Sequence, residues 1–289
     1  MMELLTADVL GLELWQVLVV LLAGFWAGTI NSIVGSGTLV TFPVLVAVGF
    51  PPVTAQISNA MGLVAAGFSG TVGYRRELKQ SMAVVPVLTV ASLLGGVIGA
   101  FLLTVLPERV FEIAAPCLIV VALGFVVFQP RLNRWVKARR ATEQGEGQPV
   151  GAFAGPVDQA DDVPRGPVSP LLWALVFGAG VYGGYFVAAQ GVLLMGILGV
   201  FLTGLLVHAN AVKTWLSLCV NLVAAVFYLL FAFDRIDWVA VLLIAASSLV
   251  GGSVGAKIGR RISPTLLRGV IVAVGLVGLA VMLLRLVQG

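Results

Sequence analysis

Seven apolar runs, each close to the length of a bilayer-crossing helix, leave this chain few ways to fold. They occupy residues 14–34, 82–106, 110–128, 171–189, 211–233, 238–256 and 266–284. A helix needs about 20 apolar residues to cross roughly 30 Å of hydrocarbon. Inside that layer every backbone N–H and C=O has to be satisfied by the protein itself. Only 10% of the 289 residues are charged and the mean hydropathy is +1.08, against about 25% charged in a soluble domain. The expected class is an all-α polytopic membrane protein. Residues 37–49 and 192–207 form shorter apolar stretches, and 53–73 is long but more polar.

Two of these stretches are interrupted. Gly35-Ser36-Gly37 breaks the first, and Ala189-Gln190-Gly191 breaks another at the corresponding place in the second half. A glycine-rich break exposes N–H groups that lipid cannot satisfy, so it belongs inside protein or against a cavity. A pair of breaks at equivalent places in two halves points to a transporter's binding site.

The two halves are related. Sliding the chain by 154 residues superposes Gly24 on Gly178, Gly37 on Gly191, Ala55 on Ala209 and Tyr74 on Tyr228. At an offset of 156, Gly95-Gly96 meets Gly251-Gly252, and Gly99-Ala100 meets Gly255-Ala256. Basic residues cluster in three connections: Arg75, Arg76 and Lys79; Arg131, Arg134, Lys137, Arg139 and Arg140; Lys257, Arg260 and Arg261. The alternate connections are poor in positive charge, so the positive-inside rule places these three in the cytoplasm and both termini outside. Five apolar segments per half is an odd number, which turns the second half upside down. The predicted architecture is two inverted-topology repeats of about five transmembrane or half-spanning helices each, with broken helices at the midplane. The first repeat covers 1–130 and the second 169–289. Between them, 131–168 is expected to be a cytoplasmic, mostly disordered linker, rich in Gly, Gln and Pro. The first thirteen residues hold Glu3, Asp8 and Glu13 and no Lys or Arg, which is not the pattern of a signal peptide.

Candidate site residues follow from the breaks. A helix restarting after Gly37 would present free N–H groups and the positive end of its dipole, a ready anion site. Asn31, Gly35, Ser36, Gly37 and Thr38 are the candidates there, with Gln190 and Gly191 at the second break. The same glycines would also serve close helix packing. The next polar cluster adds Gln56 and Asn59, matched by Asn210 and Lys213; residues three apart share a helix face. Lys213 either points inward and attracts substrate or reaches the headgroups near His208, and both readings stay open. Trp26, Tyr182, Tyr185 and Trp215 could wall a cavity or simply pack. His208 is the lone histidine, no carboxylate lies deep in a span, and Cys117 and Cys219 have no metal or disulfide spacing. No metal, no cofactor and no catalytic residue is therefore expected. The expected partners are a small anionic substrate and the lipid bilayer, without nucleic acid, and a homodimer is left open.

The run Gly24-Phe-Trp-Ala-Gly-Thr-Ile-Asn-Ser-Ile-Val-Gly-Ser-Gly-Thr-Leu-Val-Thr-Phe-Pro43, then Gly49-Phe-Pro-Pro and Ala55-Gln-Ile-Ser-Asn, resembles the TauE/SafE sulfite exporter family of membrane permeases. The second half repeats the arrangement in weaker form, with Ile197 at the place of Pro43. The resemblance implies transport of small sulfur-containing anions such as sulfite, sulfoacetate or other organosulfonates, often as export, in a bacterial cytoplasmic membrane. It also implies a break at Gly35, Ser36 and Gly37 near Asn31, Gln56 and Asn59, paired with Gln190, Gly191, Asn210 and Lys213. The expected mechanism is a secondary transporter that rocks its two inverted halves about a midplane anion site. The alternatives are an anion channel or a permease for a small non-sulfur carboxylate. A membrane enzyme is not expected.

Overall fold

The computed structural model describes residues 8–9, 11–145, 168–202, 206–258 and 264–288. Among them, eleven helices hold nearly all the regular structure. A minimal antiparallel hairpin, Asp8–Val9 against Leu12–Glu13, leads into the first. Helix α1 (Leu14–Ile33) is followed by α2 (Thr38–Val48), α3 (Pro52–Gly73), α4 (Arg75–Gln80), α5 (Val85–Val105) and α6 (Glu108–Gly145). The second half supplies α7 (Pro170–Phe186), α8 (Gln190–Phe201), α9 (Leu206–Phe231), α10 (Trp238–Ile258) and α11 (Pro264–Gln288).

Local chemistry sets the helix ends. Pro52, Pro86 and Pro170 stand in the first two positions of their helices, where a missing N–H leaves no bond unmade. Ser169 Oγ accepts from Leu172 N at 3.1 Å and Asp237 Oδ1 from Ala240 N at 2.8 Å, each capping a helix start. Gly49, at φ +124°, closes α2 and donates to the carbonyls of Leu45 and Val46; only glycine adopts such a conformation without strain.

Six of the helices are long and apolar enough to cross a membrane: α1, α5, α6 as far as Arg131, α9 from Val207, α10 and α11. The run 171–189, expected as a seventh, falls short because the chain turns at Val187 and α7 stops after 17 residues. The 11 residues of α2 and the 12 of α8 reach about 16–18 Å, roughly half the hydrocarbon thickness. Helix α6 runs on to Gly145, into the segment 131–168, and residues 146–167 lie outside the described residues. Leu230, Phe231, Leu242 and Val105 are among the most exposed side chains. An apolar exterior of this kind is what contact with lipid tails requires.

The halves interlock. Helix α1 packs along α10 and α5 along α7; α3 packs on α10 and α9 on α5; α2 meets α11 and α8 meets α6. Lipid tails are as apolar as leucine, so close van der Waals contact and interhelical hydrogen bonds hold such pairs together. A side chain at Gly28 would occupy the place of the Ser248 carbonyl, and one at Gly251 that of Phe25. On the other pair, Gly95, Gly99 and Gly184 lie against the backbones of Phe177, Val181 and Gly96. This close approach lets hydroxyls reach across: Thr29 Oγ1 donates to Gly251 O at 3.0 Å and Ser32 Oγ to Gly252 O at 3.1 Å.

The glycines at these crossings should be far less tolerant than those elsewhere. A side chain at Gly178 would meet nothing within 4 Å. Gly28→Val and Gly99→Val are expected to cost upwards of about 1–3 kcal/mol by overpacking and to lower the yield of monodisperse protein on size exclusion in detergent. Gly178→Ala should leave yield and melting temperature unchanged or slightly raised.

Candidate functional site

The first break is a tight reversal. Val34 N and Gly35 N both donate to Ile30 O, at 2.7 and 3.0 Å, and Gly35 takes φ +92°. Helix α2 then restarts behind Gly37 with no side-chain cap. Among the described residues the N–H groups of Ser36, Gly37 and Thr38 find no acceptor.

The second break lies slightly earlier than the sequence suggested. The turn occupies Val187, Ala188 and Ala189, and Gln190 and Gly191 already belong to the first turn of α8. The positive φ values fall on non-glycine residues, Val187 at 27° and Ala189 at 60°. Such conformations cost of order 1–3 kcal/mol each and persist only where the surroundings enforce them. Here too the first turn is open, because Gly191 N and Val192 N have no acceptor among the described residues.

The two breaks touch. A Cβ on Gly35 would stand 2.8 Å from Gly191 Cα, and one on Gly191 would stand 2.6 Å from both the Cα and the carbonyl oxygen of Gly35. Only two glycines allow this backbone-to-backbone contact. It brings two helix starts, each with free N–H groups and a positive dipole end, to one place.

Lys213 reaches the same place. Its side chain is 1% exposed, and Nζ donates to Asn31 O at 3.3 Å. A methyl on Gly35 would lie 3.3 Å from that ammonium nitrogen. The headgroup reading is thereby overturned: the side chain points into the protein. Among the described residues it has no carboxylate partner; the ion pairs found are Arg109 with Glu112 and Arg235 with Glu108. An ammonium with one carbonyl for company is an expensive thing to bury.

Three further candidates are enclosed with unused polar atoms. Gln56 is fully buried and Gln190 and Ser36 nearly so. Both polar atoms of each carboxamide, and Ser36 Oγ, lack a partner among the described residues. Each such atom costs about 1–3 kcal/mol when left unpaired, so packing alone does not account for them. Other candidates are committed to the protein. Asn59 Nδ2 donates to Thr38 Oγ1 at 3.2 Å while Thr41 Oγ1 donates to Asn59 Oδ1, which ties α2 to α3. Asn210 Nδ2 donates to Ser32 O at 3.4 Å, and Asn31 contributes its carbonyl.

Of the aromatics, Trp215 donates to Thr89 Oγ1 at 2.8 Å and Tyr185 packs edge-on to Phe111, so both have structural partners. Tyr182 Oη is enclosed without one among the described residues. His208 joins α9 to α4 through Gln80, Nε2 to Oε1 at 2.9 Å. Sequence reasoning missed Ser217 and Asn221, whose Oγ and Oδ1 are also enclosed and unpartnered. Their spacing of four and eight from Lys213, one face of a helix, was the available signal.

The open N–H groups at the two touching helix starts, the enclosed Ser36 hydroxyl and the Lys213 side chain are chemically of a kind that suits a small oxyanion, while the Gln190 carboxamide lies against Gly183 of α7. A family model described as "Sulfite exporter TauE/SafE" matches residues 20–282. The chain is 23% identical over 269 residues to a "Probable membrane transporter protein" of Haemophilus influenzae, covering 91% of this chain and 92% of that one. It is 27% identical over 267 residues to "Probable membrane transporter protein ORF9" of Sinorhizobium sp., covering 91% and 90%. It is also 27% identical over 151 residues to "Probable membrane transporter protein YfcA" of Escherichia coli K12, covering 52% and 55%. No solved structure matches the chain.

The contact between the breaks makes a stability prediction. Gly35→Ala forces a side chain into positive φ and Gly191→Ala drives a methyl into Gly35, each at a cost of about 1–3 kcal/mol or more. Both variants should melt at lower temperature than the parent in detergent, whereas Gly124→Ala, with open space around it, should not.

Proposed function

The chain belongs to the sulfite exporter TauE/SafE family, and from that premise we propose that it exports small sulfur-containing anions, sulfite, sulfoacetate and related organosulfonates, by alternating access. At the coarser level it is a membrane transporter. The observation that carries the finer reading is Lys213, buried beside two helix starts, with no counter-charge to it and no acceptor for their first N–H groups among the described residues. A bound oxyanion supplies the missing charge and accepts the spare hydrogen bonds. Gln56, Gln190 and Ser36 are the neutral donors proposed to complete the shell. Helix pairing supports an inverted duplication, since α1 on α10 corresponds to α7 on α5, and α2 on α11 to α8 on α6. The loop charges favour both termini outside.

The moving parts favoured by the packing differ from the rocking halves expected from sequence, and this too is part of the proposal. Rocking the first half against the second would tear α1 from α10 and α5 from α7, pairs whose backbones are in contact. The bodies favoured by packing each draw on both halves: α1, α3 and α10 form one, and α5, α7 and α9 the other. They meet mainly along α3 and α9, next to Lys213.

Two measurements test this. Lys213→Met should weaken sulfite binding by about tenfold or more, read as loss of the sulfite-induced rise in melting temperature of the purified protein. An unchanged shift would remove Lys213 from the site, and an equal response to non-sulfur carboxylates would point to the alternative substrate class. For the moving parts, Cys117 and Cys219 are first replaced by Ser. The Gly24→Cys/Ser247→Cys pair, Cβ to Cβ 3.4 Å, then lies inside one body but joins the two halves; Gly67→Cys/Leu218→Cys, at 3.2 Å, joins the bodies. Both spacings are close to disulfide geometry. Oxidation should leave sulfite transport in proteoliposomes intact in the first and stop it in the second. Arrest by the first disulfide would restore rocking halves.

A further inference from the structure

Resting on the anion-site reading, we propose that Ser217 and Asn221 line the passage by which the anion moves between Lys213 and the end of α9. Positions 213, 217, 221, 224 and 228 of α9 fall within an arc of about 80° at roughly 100° per residue. Hydrogen bonds fix where both ends of this face look. Lys213 Nζ donates to Asn31 O beside the touching breaks, and Tyr228 Oη donates to Gly184 O at 3.0 Å, near the end of α7. The flanking faces are already occupied. Thr214 and Leu218 lie against Gly70 and Gly67 of α3, while Leu216 and Val220 lie against Ser92 and Gly96 of α5. Ser217 and Asn221 therefore lie on the strip of α9 left between α3 and α5, bracketed by Lys213 beside the first break and Tyr228 bonded three residues before the second.

Asn221 is 2% exposed with Oδ1 enclosed and unpartnered, and Ser217 Oγ is enclosed and unpartnered, among the described residues. Packing does not call for polarity here: the residues 154 earlier are Leu63 and Gly67, and Leu63 is an ordinary buried hydrophobe at 1% exposure. Polar side chains inside membrane helices otherwise hydrogen-bond across helices, a use for which these two show no partner among the described residues. The helix rise sets Ser217 about 6 Å and Asn221 about 12 Å beyond Lys213 along the axis, spacings of the order of a small sulfonate. A hydroxyl and an amide, the latter free to turn its N–H inward, hold an oxyanion without charge. Such contacts are weak enough to release what Lys213 holds more tightly, as conduction through successive sites requires.

The test uses the full chain in proteoliposomes with Cys117 and Cys219 replaced by Ser. Asn221→Cys is exposed to a charged, membrane-impermeant methanethiosulfonate from either face, with and without sulfite. Labelling from one face, slowed about tenfold by saturating sulfite, is the expected result. In parallel, Asn221→Leu should bind sulfite within about threefold of the parent while its transport falls about tenfold or more. A transport-competent Asn221→Cys that resists label from both faces, or an Asn221→Leu that transports at the parental rate, would overturn the passage. Undiminished sulfite binding by Lys213→Met would instead overturn the anion site itself, whatever the label does.

Discussion

A lysine side chain held away from water, with one backbone carbonyl as its partner among the described residues, is the feature on which the two touching breaks converge. Lys213 lies in an environment where an ammonium is stabilised by little except what is placed beside it. What lies beside it is two interrupted helices. Each break leaves N–H groups without acceptors and turns the positive end of a helix dipole toward the same spot. On the reading proposed above, an anion entering here would offset the mutual repulsion of these like-signed features. The strain at Val187 and Ala189, where non-glycine residues hold positive φ, is part of the same arrangement.

The breaks can meet only because the scaffold brings backbones into contact. Glycines line the crossings of α1 with α10 and α5 with α7, so the helices approach until carbonyls and hydroxyls interact across the interface. In lipid this packing substitutes for the hydrophobic driving force that water provides to soluble folds. It also decides which parts can move. On the proposed reading, helices locked backbone to backbone would travel together, and the α3–α9 boundary would be the place for sliding. The Asn59–Thr38–Thr41 cluster has a related role, binding the short α2 to α3 so that the first break is held in register.

Much of the candidate site was legible in the sequence. The Gly35-Ser36-Gly37 interruption and the Gln190-Gly191 pair mark helix breaks that touch, and Asn59, Asn210 and Lys213 bond to residues beside the first of them. What each does was less legible. Asn59 and Thr38 look in sequence like Gln56 and Ser36, yet the first pair satisfies itself and the second is left open. The second turn lies earlier than its glycine suggested because Val187 and Ala189, the residues at positive φ, have no sequence signature for it. Ser217 and Asn221 escaped notice because single polar residues within an apolar run are common, and only their burial without partners sets them apart.

By itself the sequence determined the membrane class, the positions of nearly all the helices and the existence of two breaks, because hydropathy and helix interruption are properties of neighbouring residues. Tertiary structure alone decided that Gly35 lies on Gly191, that α1 belongs with α10 and that Lys213 turns inward to Asn31, 182 residues away. Those outcomes depend on which surfaces fit at close range, and no local pattern encodes the shape of a distant partner.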